Sequence, residues 1–317
     1  MTSETVTEPL SQKPRKRSLM KRLLMWTGGI LTIVAAIVAT FYWYWFQAPF
    51  QLTADIQYGT RDGKPLMLDV FQPPKPNGAG VVFMVSGGWK SGPGSVRPFM
   101  LAPFLRRGYT VFAVRHISQP ECTIGNLTAD VIRSVRFVRL HAKKYGVDAN
   151  RLGVIGGSSG GHLSLMIGTT GGPGDPNATD EVERESSTVQ CVACFYPPTD
   201  LLNLRGSTEF VGEGEPPKSF KRGFGPLAES KDTWKVLGRE LSPIYHVTPR
   251  MPPTMIVHGD ADTLVPIDQS ERFIAEAKTK GCKLRFETRP GKGHGWPTMI
   301  FDIVRFADWF DKHLGEE

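Results

Sequence analysis

Three polar side chains, far apart in a chain of 317 residues, have the types and the order that acyl transfer to a hydroxyl requires. A serine hydroxyl is a weak nucleophile at neutral pH. It needs an imidazole base, and the imidazole needs a carboxylate to orient it and stabilise its charge. Ser158 stands in Gly156-Gly157-Ser158-Ser159-Gly160-Gly161, Asp262 in His258-Gly259-Asp260-Ala261-Asp262, and His294 in Gly293-His294-Gly295-Trp296. An attacked carbonyl becomes an oxyanion that needs preorganised N–H donors, each contributing roughly 2.7–4 kcal/mol. Backbone donors are expected from Ser86, Gly87 and Gly88, and a further one from Ser159, the residue after the nucleophile.

Gly-x-Ser-x-Gly occurs in two frames, one around Ser158 and one around Ser159. Ser158 is preferred because the apolar run Leu152–Ile155 then ends at Gly156 and a helix starts directly after the nucleophile. A glycine-rich strand-to-helix turn also cradles anions, so the pentapeptide alone leaves a phosphate-binding turn open. Asp260 is the nearest competitor for the acid. Ser86-Gly87-Gly88-Trp89 could equally be a plain turn. Among seven histidines, His294 is singled out by its glycine neighbours and its place after a strand. His258, at a strand end, reads as structural, and His116, His141, His162, His246 and His313 lack comparable context.

These residues need a scaffold that collects loops at one edge. Val81–Val85, a continuously apolar run, predicts a strand buried on both faces, and Thr110–Val114, Leu152–Ile155, Val189–Tyr196, Thr254–His258 and Lys283–Glu287 predict further strands. Helical patterns at Phe99–Arg107, Leu127–Lys144, Gln269–Lys280 and Thr298–Leu314 fall between or after them. Thr53–Tyr58 and Pro65–Phe71 predict two strands around the turn Arg61-Asp62-Gly63. The alternation implies a mainly parallel α/β sheet, with loops at its carboxyl edge that carry the polar residues. Residues 200–250 break the rhythm, and a cap insertion and an ordinary surface excursion are equally compatible with that stretch.

The amino terminus is different. Lys13, Arg15, Lys16, Arg17, Lys21 and Arg22 precede Leu23–Phe46, which contains no charged residue. Those residues make a helix of roughly 36 Å, against a hydrocarbon core of about 30 Å. The aromatic run Phe41–Phe46 suits the far interface and does not resemble a cleavage site. The expected organisation is a basic cytoplasmic tail at 1–22, a signal-anchor helix at 23–46 and an exported catalytic domain at 47–317. Of the net charge of +7, four belong to the tail, and no nucleic-acid footprint follows. Cys122, Cys191, Cys194 and Cys282 are too few for a disulfide scaffold or zinc cluster. In a strand, Cys191 and Cys194 point to opposite faces, so buried free thiols are expected.

Ser86-Gly87-Gly88-Trp89, Gly156 through Leu163, His258 through Pro266 and Gly293-His294-Gly295 resemble the motifs of α/β-hydrolase esterases. The likeness is greatest to the hormone-sensitive-lipase-like and feruloyl/acetyl-xylan-esterase-like (BD-FAE-like) group, which overlaps in pattern with prolyl oligopeptidase catalytic domains. It covers about residues 50–315. The resemblance implies Ser158 as nucleophile, Asp262 as acid, His294 as base, a small-molecule ester substrate, and no metal or organic cofactor. One departure stands out. The group's His-Gly-Gly-Gly-Trp element is Val85-Ser86-Gly87-Gly88-Trp89 here, without the histidine and with serine for one glycine. A serine exopeptidase and a catalytically silent hydrolase-fold binding module are the alternatives. The short stretch between the apolar segment and Val81 leaves no room for the propeller of a prolyl oligopeptidase.

Overall fold

The computed structural model describes residues 16–315, so the tail through residue 15 lies outside the described residues. The chain divides after Gln47 into two units. The first is helix α1, Lys16–Phe46. It starts before the expected Leu23 because Lys16–Arg22 contains neither glycine nor proline to break it. Met20–Phe46 is long and apolar enough to cross a membrane. Thr27 and Thr32 donate their hydroxyls to the carbonyls of Leu23 and Gly28 one turn earlier, which satisfies both hydroxyls within the helix.

In the second unit β1 (Gln51–Arg61) and β2 (Lys64–Gln72) form a hairpin, followed by β3 (Gly78–Met84), α2 (Pro98–Arg106) and β4 (Thr110–Val114). Next come α3 (Ile124–His141), β5 (Val147–Gly157), α4 (Ser159–Thr170) and the single turn α5 (Glu181–Arg184). The remainder is β6 (Cys191–Phe195), α6 (Lys231–Glu240), β7 (Thr254–Gly259), α7 (Asp268–Thr279), β8 (Leu284–Arg289) and α8 (Met299–Leu314).

Among the described residues the strands form one sheet in the order β1-β2-β4-β3-β5-β6-β7-β8. β1 and β2 are antiparallel to their neighbours, whereas β4, β3, β5, β6, β7 and β8 run parallel. The carboxyl ends of the parallel strands therefore share one edge. β4 lies on one side of β3 and β5 on the other, so the strand order reverses at β3, which is where open α/β sheets form their crevice.

Strand alternation divides the core. Val82, Met84, Val154, Val192 and Ile256 face α3, α4 and α7 through Val131, Val135, Leu163 and Phe273. The opposite face packs on α2 and α8, where Phe104 and Phe310 meet edge to face at 5.1 Å. Cys191 and Cys194 are buried free thiols, as expected of positions three apart in a strand.

Two boundaries differ from the sequence expectation. β5 starts at Val147 because Gly78 pairs with it across a register shift. α3 ends at His141 and tightens into a 3₁₀ turn that stops at Gly146, which has φ +68°. The stretch 200–250 contains no strand but does hold α6, capped by the Ser230 hydroxyl, which accepts from the Thr233 N–H. That stretch reaches the rest of the domain through aromatic contacts of Phe220 and Phe224 with Trp89.

Trp89 is pinned in turn by His162, on α4. The indole N–H donates to His162 Nδ1 at 3.2 Å, so the ring proton sits on Nε2 and donates to the Leu241 carbonyl at 2.6 Å. Burial pushes this imidazole down to about 4, against about 6.5 in an unfolded chain. As pH falls from 6.5 to 4, the unfolded chain takes up a proton that the folded one refuses. The stability His162 contributes, about 3 kcal/mol, is present above that window and lost through it. Urea midpoints of the full chain in detergent should therefore fall between pH 7.5 and 4.5, and less steeply in His162→Gln. Equal slopes would contradict the assignment.

Candidate active site

The residues singled out for chemistry lie just beyond the carboxyl ends of β3, β5, β7 and β8, with Ser159 as the first residue of α4. Ser158 follows β5 and precedes the first residue of α4, with φ +56° and ψ −124°. This is a region that side-chain-bearing residues seldom adopt. Its N–H donates to the Phe195 carbonyl at 3.0 Å, and its carbonyl accepts from the His162 N–H at 2.9 Å. The first bond ties the turn to β6, and the second is the opening bond of α4 itself. Gly160 lets α4 approach β3, because a Cβ there would sit 2.6 Å from the Met84 carbonyl oxygen.

His294 lies beyond β8 on a loop pressed against the end of β7. A Cβ on Gly259 would come within 2.2 Å of the Lys292 carbonyl oxygen. The Ala261 N–H donates to that same carbonyl at 2.9 Å. Asp260 accepts from the Gly291 N–H at 2.6 Å, so this competitor for the acid braces the histidine loop.

His294 Nε2 is 2.8 Å from Ser158 Oγ, and its Nδ1 is 2.7 Å from Asp262 Oδ2. The other carboxylate oxygen, Oδ1, accepts from the N–H groups of Leu264 and Val265, both at 2.9 Å. Burial opposes ionisation of Asp262. Hydrogen bonds with His258 and His294, together with the Val265 N–H, outweigh it and hold the carboxyl well below the usual range. An ionised Asp262 only accepts, so the His294 proton sits on Nδ1 and Nε2 is left to take a proton from Ser158.

His258 supports the carboxylate. Its Nε2 donates to the Val265 carbonyl at 2.8 Å and lies 3.4 Å from Asp262 Oδ2, while Nδ1 accepts from the Ser270 hydroxyl at 2.7 Å. Tyr196, which the sequence marks only as a strand end, packs its ring on His294 with centroids 4.4 Å apart. Burial, reinforced by the Asp262 charge, pushes its phenol up to about 12. Its place directly after β6, at the same sheet edge, is the signal that could have found it.

Of the expected amide donors, Gly87 is engaged, since its N–H donates to the Lys90 carbonyl at 3.0 Å. The amides of Ser86 and Gly88 have no backbone acceptor among the described residues. Ser159 opens α4, where the first N–H groups have no intrahelical partner.

Two cavities flank Ser158. One of about 850 Å³ lies on the α2 and α8 side and is lined by Met100, Leu101, Ile155, Phe195, Met299 and Ile303. The other, of about 60 Å³, is bounded by Trp89, Leu201, Leu204 and Phe220.

This sheet, with its serine turn, is the α/β-hydrolase fold. Residues 68–276 match the BD-FAE family model, and the chain belongs to the BD-FAE family. It is 28% identical over 231 residues to a probable carboxylic ester hydrolase, LipM, of Mycobacterium tuberculosis, covering 71% of this chain and 51% of LipM. It is 26% identical over 290 residues to isoprenylcysteine alpha-carbonyl methylesterase ICME of Arabidopsis thaliana, covering 87% of this chain and 63% of ICME. The chain thus spans about half the length of LipM and under two thirds of ICME. Among solved structures it is similar to esterase 2 of Thermogutta terrifontis, with TM-score 0.63, 25% identity and coverage of 84% and 95% of the two chains. It is also similar to an acetyl ester-xyloside bifunctional hydrolase of Caldicellulosiruptor lactoaceticus, with TM-score 0.69, 23% identity and coverage of 82% and 96%.

The Gly160 contact generates a test in which two effects oppose each other. Helix propensity alone favours alanine over glycine by about 1 kcal/mol. The Met84 carbonyl is backbone and cannot yield to a new Cβ. Gly160→Ala should therefore be destabilised by about 1–3 kcal/mol. A melting temperature equal to or above that of the parent chain would show that α4 has room to move.

Proposed function

We propose that this chain is a serine carboxylester hydrolase, with Ser158 as nucleophile, His294 as general base and acid, and Asp262 as the orienting carboxylate. The observation that carries this reading is the chain of hydrogen bonds Ser158 to His294 to Asp262, at 2.8 and 2.7 Å. His294 Nε2 takes the hydroxyl proton as Ser158 Oγ attacks the ester carbonyl. The oxyanion accepts from the Ser159 amide and from the loop at Ser86 and Gly88. The Gly87 amide can join them only if its bond to Lys90 opens. Collapse expels the alcohol, protonated by His294, and leaves an acyl group on Ser158. Water, deprotonated by the same imidazole, then attacks the acyl carbonyl and releases the acid. Each step uses these side chains and water alone.

The activities named for the relatives, a probable carboxylic ester hydrolase and a methylesterase, support ester over amide substrates. The larger cavity accommodates a bulky apolar portion of a small-molecule ester, and the smaller one a group of about methyl size. The test is turnover of p-nitrophenyl butyrate and octanoate by the full chain in detergent, together with fluorophosphonate labelling. Ser158→Ala should lose both, with kcat down on the order of 10⁶-fold. Retained turnover or labelling in that variant would reject the nucleophile.

We also propose that α1 is a signal anchor, with the basic tail in the cytoplasm and residues 47–317 exported. Support comes from the length and apolarity of Met20–Phe46, its terminal aromatic run and the preceding lysines and arginines. In cells expressing the full chain, the protein should stay in the membrane pellet after alkaline carbonate, and the catalytic domain should be cut by protease added from the exported side. Release into the carbonate supernatant would favour a cleaved or soluble form.

A further inference from the structure

The departure from the group's glycine at Ser86 is matched by a partner just beyond another strand. His116, two residues beyond β4 and buried, places Nε2 at 2.9 Å from Ser86 Oγ and Nδ1 at 2.9 Å from the Ile117 carbonyl. Ser86 Oγ is in turn 3.0 Å from Ser159 Oγ, and Ser159 is buried. A carbonyl only accepts, so Nδ1 carries the ring proton. Nε2 of the neutral imidazole is then an acceptor for the Ser86 hydroxyl. Having spent its proton there, Ser86 accepts from the Ser159 hydroxyl. All three groups are thereby oriented in one direction, from Ser159 through Ser86 to His116 and the Ile117 carbonyl.

This chain ties together the two segments that carry the amides of the oxyanion site. Ser86 leads the loop after β3, and Ser159 opens α4, 73 positions further along the chain. Glycine at position 86 has no hydroxyl with which to make the link. We propose, resting on the esterase reading above, that His116 is a positioning residue. Through Ser86 and Ser159 it sets the separation and aim of the oxyanion donors, without itself touching substrate.

A small displacement of donors from the developing charge costs about 10- to 100-fold in rate. In the full chain in detergent, His116→Phe should therefore lower kcat about 10- to 100-fold with KM within about twofold. Inhibition by an aryl trifluoromethyl ketone, whose hemiketal oxygen occupies the oxyanion site, should weaken by a similar factor. His116→Gln, which restores an acceptor for Ser86, should recover most of the loss. Ser86→Gly should reproduce the defect, and the double variant Ser86→Gly/His116→Phe should be no worse than either single one, because both break the same chain.

Ser86→Gly keeps the test decisive if His116→Phe folds poorly, which urea midpoints would reveal. Full kcat in either folded variant would overturn the proposal. So would a loss of kcat without weaker ketone inhibition, or multiplicative losses in the double variant. An active wild type with unaffected variants removes this proposal alone. A wild type that neither labels at Ser158 nor turns over ester removes the esterase reading and this proposal with it.

Discussion

The constraint on which the rest depends is the backbone of Ser158, held at φ +56° in a turn with no residue to spare. Such a conformation costs on the order of 1–3 kcal/mol and persists only where its surroundings over-determine it. Here they do so from three directions. The Phe195 carbonyl holds the Ser158 N–H, the His162 N–H holds its carbonyl, and the Met84 carbonyl lies so close to Gly160 that α4 cannot retreat. β3, β6 and α4 therefore each contribute to aiming one hydroxyl. This explains why the serine belongs to the middle of the sheet rather than its edge, where fewer strands could brace it.

Much of this was legible in the sequence because the central strands of the sheet are buried on both faces. Thr110–Val114 and Thr254–Gly259 are almost unbroken apolar runs, and their positions follow directly from burial. The serine turn announced itself through glycines demanded by close backbone approach. Less was legible where the decisive partner is distant. Residue type alone cannot assign His116 to Ser86, 30 positions away beyond the neighbouring strand. Tyr196 carries no motif, and its contact with His294 exists only because β6 and the loop after β8 end at the same edge. Helix α6 was missed because its apolar face is short, with Trp234, Leu237 and Gly238 buried among polar neighbours.

Three of the histidines share a device. His116, His162 and His258 each give one ring N–H to a main-chain carbonyl, and each accepts at the other nitrogen from a hydroxyl or an indole. A neutral imidazole held in this way is a rigid, two-ended bracket. It fixes the direction of a neighbouring O–H or N–H. The domain thus surrounds one imidazole arranged for proton transfer with others whose protons are committed elsewhere.

The placement of the thiols would matter if the proposed anchor sets this domain in an oxidising medium. Cys122, Cys191 and Cys194 are buried and only Cys282 is partly exposed, and burial pushes the Cys122, Cys191 and Cys194 thiols up and away from the reactive thiolate. Cys191 and Cys194, on opposite faces of the same central strand, cannot pair with each other while the sheet is intact. Disulfides of the three buried thiols are therefore open only to chains that have not yet folded or have come apart. Quality control of this protein in such a compartment becomes a race between closing the sheet and meeting an oxidant.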